Sequence, residues 1–244
     1  MKISVAQTNP IKGNVKINLQ NHLKLIEKAI DNNVELIIFP ELSLTGYEPE
    51  LAKIISENFD ESKLDIFQKK SDEHNITIGI GLPTMKNDKI FISMIIFQPC
   101  KEKIIYSKQN LFPSEKELFT KGNKQIIVKF ENNNIFAPAI CYEISDKYHS
   151  QNAKVNNASI YIASVLNSKS GIDDDLLKLS SIAKEHNMTV MMSNFIGESG
   201  GYDCAGKSSL WNNDGRLIEQ LNDYQEGILI YDTINKIANK VYCP

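Results

Sequence analysis

Apolar positions recur along the chain with two periods. At the start, "KISVAQ" alternates Ile3 and Val5 with polar neighbours and reads as a strand. Leu19, Leu23, Ile26 and Ile30 follow at helical spacing, predicting a helix that ends near "DNN". "VELIIF" (34–39) is a β-branched run stopped by Pro40, the pattern of a buried strand. A helix is predicted over 62–74. Strands follow at "ITIGIG", "FISMIIF", "KIIYS", "QIIVKF" and "IFAPAIC". "ENNN" (131–134) reads as a short polar turn between two of them. Beyond Cys141 a short helix is expected, then a strand at "ASIYIAS". "DDLLKLSSIAKEH" is a helix, with Asp173 or Asp174 expected to cap it. "MTVMMSNF" and "KSSLW" are strands, "DG" at 214–215 marks a hairpin turn, and "GILIYD" is a late strand.

Buried apolar strands interleaved with amphipathic helices imply a layered α/β fold with the helices outside. No internal repeat or low-complexity stretch appears, and no composition shift divides the chain. Residues 1–244 therefore read as one domain, a size that suits a 244-residue chain.

Composition narrows the function classes. With 42% hydrophobic and 23% charged residues, the chain can bury a sizeable core. A net charge of −3 and scattered lysines give no footprint for nucleic acid. No apolar run approaches membrane-span length, and the N-terminus turns polar too soon for a signal peptide. A cytoplasmic protein is therefore expected. The four cysteines (Cys100, Cys141, Cys204, Cys243) form no C-x-x-C pair, and the four histidines show no ligand spacing, so no metal site is expected.

Three predicted strand ends carry chemistry. Glu41 follows "LIIFP", Lys108 ends "KIIYSK", and Cys141 ends "APAIC". Sites in layered α/β sheets form at the carboxyl ends of strands. Taken singly, Cys141 reads as a packed hydrophobe, Glu41 as a loop residue and Lys108 as a surface charge. Together they make a chemical set. A thiol attacks carbonyl carbon only once deprotonated, which a carboxylate can achieve. Lys108 and the backbone N–H of Tyr142 can hold the resulting oxyanion. A Cys–His pair is poorly supported, although His149 lies only eight residues past Cys141.

These stretches resemble the carbon–nitrogen hydrolases of the nitrilase superfamily. "FPELSLTGYEP" (39–49) is similar to the family's first motif, "YSKQNLFPSEKELFTKG" (106–122) to its second, and "AICYE" (139–143) to its nucleophile motif. "ASVLN", "AKEHNMTVMMSNFIG" and "AGKSSLWNNDGRLI" extend the likeness almost to the end of the chain. The resemblance implies a four-layer α-β-β-α sandwich and a catalytic set of Glu41, Lys108 and Cys141. Counting back from Gly122, it points to Glu115 as a fourth member, ahead of Glu117. It implies no cofactor, and hydrolysis of a small amide or N-carbamoyl compound through a Cys141 thioester. Nitrile hydrolysis by the same triad, or a silent member that only binds, are the alternatives. Tyr47, Tyr142, Glu143 and Ser164, with the loop 164–171, are expected to line the substrate pocket. Glu143 and the acidic run 173–175 point to an amine-bearing substrate. A homodimer is expected, through the broad apolar face of the helix near 174–186 and through the tail "TINKIANKVYCP", which either crosses to a neighbour or packs back.

Overall fold

The protein is described here from a computed structural model, which describes residues 1–131 and 133–243. Strands in chain order are β1 (Lys2–Gln7), β2 (Leu36–Ile38), β3 (Thr77–Lys86), β4 (Lys89–Phe97), β5 (Ile104–Ser107), β6 (Val128–Lys129), β7 (Ile135–Ile140) and β8 (Ile160–Ser164). They continue with β9 (Thr189–Ser193), β10 (Ile196–Ser199), β11 (Tyr202–Ala205), β12 (Ser209–Trp211), β13 (Leu217–Gln220), β14 (Gly227–Asp232) and β15 (Ile237–Tyr242). The helices are α1 (Val15–Asp31), α2 (Pro49–Asn58), α3 (Asp65–His74), α4 (Lys147–Val155) and α5 (Ile172–His186).

Two sheets carry the fold. One has the order β15-β14-β1-β2-β3-β4-β5 and the other β13-β12-β9-β8-β7-β6. Side chains alternate between the faces of each strand, which sorts the apolar residues into three cores. Leu36 and Ile38 pack between the sheets with Ile160 and Ile162 of the opposite sheet. Ile37 points the other way, with Ile26 of α1 and Phe67 of α3. Tyr161 and Ala163 likewise turn outward, onto Ala153 of α4 and Leu179 of α5. The layers are thus helix, sheet, sheet, helix, as the motifs implied.

Local signals explain most element ends. The Asn14 side chain accepts from the Ile17 N–H at 3.1 Å and caps α1. Asn75 and Asn187, both left-handed, end α3 and α5. Four details differ from the periodicity reading. Residues 61–64 form a 3₁₀ turn ahead of α3. The run "QIIVKF" shrinks to the two-residue β6. Neither Asp173 nor Asp174 caps α5. Gly171 holds that position and the acids occupy the first turn, where they still complement the helix dipole. The periodicity also passed over α2, a short helix opened by Pro49. The polar turn at 131–134 includes Asn132, outside the described residues. The tail folds back on its own sheet: β15 pairs antiparallel with β14, Gly227 opposite Tyr242.

Strand ends of the two sheets meet at one rim of the sandwich. There the Ser164 hydroxyl, at the end of β8, donates to the Phe39 carbonyl just beyond β2 at 2.8 Å. Among the described residues no helix is long and apolar enough to cross a membrane.

Candidate active site

Two of the three candidate strand ends depart from regular backbone at or beside the residue that matters. Cys141 follows β7 with φ 46°, and Leu42, next to Glu41, has φ 53°. Non-glycine residues rarely adopt this left-handed conformation, which costs of order 1–3 kcal/mol and concentrates at functional sites. At Cys141 the chain leaves β7 and enters a 3₁₀ turn, Cys141–Ser145. The Tyr142 N–H lies in the first turn, where helix geometry supplies no intrahelical acceptor. Lys108 follows β5. Its carbonyl accepts from the Gly122 N–H at 2.7 Å, and a Cβ on Gly122 would lie 2.0 Å from the Ser107 carbonyl oxygen. Only glycine permits that approach.

The structure brings Glu41, Lys108, Glu115 and Cys141 together. Lys108 is fully buried and donates to Glu41 Oε1 at 2.7 Å and to Glu115 Oε1 at 2.8 Å. Glu115 is fixed from two further sides, by the Tyr47 hydroxyl at 2.8 Å and by the Phe112 N–H at 2.7 Å. Glu117 stays on the surface. The second oxygen of Glu41 is buried and, among the described residues, has no hydrogen-bond partner. Cys141 stands within electrostatic reach of it, and its Sγ lies 3.7 Å from the Leu166 carbonyl oxygen.

The electrostatics follow from burial. Loss of solvent raises the Glu41 carboxyl to about 7, against the pull of the Lys108 charge and with a further push from Glu115. Burial first, then the Glu41 charge, pushes the Cys141 thiol well above the ordinary cysteine range, with Lys108 opposing. Burial works against the Lys108 charge, but the surrounding acidic groups outweigh it and hold the ammonium above the ordinary lysine range. At rest the site therefore holds a protonated thiol, a charged lysine and a carboxylate that titrates near neutrality. Such a carboxylate can both accept and return a proton.

Glu41, Glu115 and Cys141 open into a cavity of about 310 Å³, with Phe112, Tyr142, Leu166, Asn167, Asp174 and Tyr202 in its wall, while the buried Lys108 is not part of its lining. A larger groove of about 540 Å³ runs past Pro83, Phe91 and Thr120 and contains none of the four. Tyr47 and Tyr142 line the cavity, as does the loop through Leu166, Asn167 and Ser168. Tyr47 spends its hydroxyl on Glu115. Two expectations fail. Ser164 is buried and stitches the sheets through Phe39, so it does not face the cavity. Glu143 is buried beneath the 3₁₀ turn, where backbone N–H groups draw its carboxylate inward, away from the cavity. Asn194 supports the loop 164–171 by accepting from the Asn167 N–H at 2.8 Å. Phe112 and Tyr202 were missed. They come from a turn and a distant hairpin, and no spacing in the chain links them. Among the described residues no group of three His, Cys, Asp or Glu side chains could hold a metal ion.

Residues 2–236 match the family model for carbon-nitrogen hydrolases. The chain belongs to that family. A glutamine-dependent NAD(+) synthetase of Acinetobacter baylyi is 25% identical over 92% of this chain, which spans 42% of the synthetase. A hydrolase encoded in the agr operon of Staphylococcus aureus is 23% identical, with 98% of this chain and 94% of that protein covered. Among solved structures, a mutant of the amidase from Nesterenkonia sp. AN1 in complex with butyramide superposes with a TM-score of 0.86 at 19% identity. That match covers 94% of this chain and 89% of the other, and it establishes the shared fold.

Proposed function

We propose that this carbon-nitrogen hydrolase cleaves the C–N bond of a small linear amide or N-carbamoyl compound through a thioester on Cys141. The observation that carries the reading is the buried Glu41–Lys108–Glu115 cluster beside Cys141, with one Glu41 oxygen left without a partner. That oxygen takes the thiol proton as Sγ attacks the carbonyl carbon. The C=O electron pair moves to oxygen, which Lys108 and the Tyr142 N–H receive. Glu41 then delivers the proton to the departing nitrogen, the C–N bond breaks, and ammonia or an amine leaves. A water molecule deprotonated by Glu41 adds to the thioester. Collapse of that adduct releases the acid and returns the proton to the thiolate. Glu115 holds Lys108 in place. No step requires a cofactor.

The amidase neighbours support amide hydrolysis. The cavity suits a small molecule, and Asp174 in its wall favours one that carries an amino group. The test is an ammonia-release screen over short aliphatic amides, ω-amides and N-carbamoyl amines, with Cys141→Ala as blank. Intact-mass spectrometry during turnover, with Glu41→Gln to slow deacylation, is expected to show an acyl adduct on Cys141. An adduct on Cys100, Cys204 or Cys243 overturns the assignment. Release of amide or acid from nitriles alone overturns the substrate class.

A further inference from the structure

Glu143 directly follows Tyr142, yet its side chain turns away from the cavity and has no solvent exposure. Its two oxygens grip two separate strand ends. Oε2 accepts from the Ile140 N–H at 2.6 Å, the backbone of the residue just before Cys141. Oε1 accepts from the Gln109 N–H at 2.6 Å, the peptide that follows Lys108. Both oxygens also receive the Tyr106 hydroxyl at 2.8 Å, and Tyr106 stands two residues before Lys108. These segments belong to different sheets: β7 lies in one and β5 in the other. One carboxylate therefore bridges the sandwich at the place where the thiol and the ammonium must be held in register.

A second layer supports the bridge. Tyr106 has one hydroxyl proton and spends it on Glu143. His149 Nε2 lies 2.8 Å from that oxygen and 3.4 Å from Glu143 Oε2, so an Nε2–H faces two acceptors. That tautomer leaves Nδ1 as acceptor for the Tyr161 hydroxyl, also at 2.8 Å. Each donor in the chain meets an acceptor, with histidine neutral. Burial depresses the His149 pKa and agrees with that assignment. A carboxamide in place of Glu143 breaks the pattern. It has one accepting oxygen, and its NH₂ would confront one of the two backbone N–H groups, donor against donor.

We infer that Glu143 is a positioning residue for the reaction: its carboxylate sets the placement of Cys141 relative to Lys108 by clamping the Ile140 and Gln109 amides of opposite sheets. This rests on the function proposed above. Misplacement of reacting groups by about 1 Å costs on the order of 100-fold in rate.

The test uses chloroacetamide, a small amide that alkylates thiols. Inactivation kinetics give a maximal rate (kinact) and a half-saturating concentration (KI), with the labelled cysteine located by peptide mass spectrometry. For Glu143→Gln, kinact at Cys141 is expected to fall about 100-fold while KI stays within about threefold, because the cavity wall is untouched. The variant's thermal melt is followed in parallel, and rates are taken per folded molecule. A kinact within about threefold of the parent confines Glu143 to stability and overturns the inference. If Glu143→Gln does not fold, Glu143→Asp carries the test, since it keeps the charge but is one methylene too short to reach both the Ile140 and Gln109 amides. It is expected to lower kinact about tenfold or more at KI within about threefold, and a kinact within about threefold of the parent overturns the clamp. The parent protein separates the two readings. If its Cys141 is labelled no faster than the exposed Cys100, the hydrolase reading fails. If Cys141 is labelled selectively and equally fast in parent and variant, only the clamp fails.

Discussion

The Glu41 carboxyl carries a stability signature that can be measured before any substrate is known. Its side chain is buried, shares the Lys108 ammonium with Glu115, and has one oxygen without a partner. Desolvation raises its pKa from 4.5 to about 7. The folded state thus binds this proton more tightly than the unfolded chain does. Its contribution is fully present below pH 4.5 and is lost as pH rises through 7. At about 1.4 kcal/mol per unit, the shift is worth roughly 3 kcal/mol. Glu41→Gln removes the ionisation and keeps the volume. The stability of the parent relative to Glu41→Gln should therefore fall by about 3 kcal/mol between pH 5 and pH 8.5. In a domain of this size that is a relative Tm change of about 10 °C. Denaturant titrations of both proteins at half-unit pH intervals measure it. A difference that stays flat, or that favours the parent more at high pH, refutes the raised carboxyl. The same titration sets the activity profile. As the general base Glu41 must be ionised, so kcat/KM should rise with pH through about 7.

Other expectations follow from the same geometry. Lys108→Arg should be nearly as damaging as Lys108→Ala, about 100 to 1,000-fold in turnover, because a forked guanidinium cannot replace a compact ammonium between two carboxylates. Near-normal turnover in a folded Lys108→Arg protein would remove Lys108 from the oxyanion site. Gly122→Ala places a Cβ 2.0 Å from the Ser107 carbonyl oxygen, so it should destabilise the fold and displace Lys108, read as a lower Tm together with slower labelling of Cys141. We propose that the protein pairs through the outer face of α4 and α5, where Tyr148, Val155 and Leu177 are largely exposed. Light scattering should give twice the 27.6 kDa chain mass, reduced to one chain by Leu177→Lys, and a single-chain mass for the parent refutes the pairing.

The layering and three of the strand ends were legible in the residue pattern. Alternation at Ile3 and Val5, the helical stripe through Leu23 and Ile26, and the unbroken "LIIF" run each select one element and one buried face, because burial of apolar area is local to the element that carries it. Glu41, Lys108 and Cys141 were legible because each terminates such a run, and counting back from Gly122 in the family's second motif pointed to Glu115. The sites of Ser164 and Glu143 could not be read this way. Both lie within the family-like stretches, and both were expected in the cavity. Their side chains instead turn inward to the Phe39 carbonyl and to the Ile140 and Gln109 amides. A buried backbone group demands a partner wherever it lies, and which residues supply one depends on how the two sheets close on each other. The cavity wall is decided in the same way, since Phe112, Leu166, Asp174 and Tyr202 meet only when four separate segments converge. Tertiary structure also decided the tail. "IANKVY" has too few apolar positions to form a core, and it became a strand because β14 offered an open edge whose backbone groups it could pair.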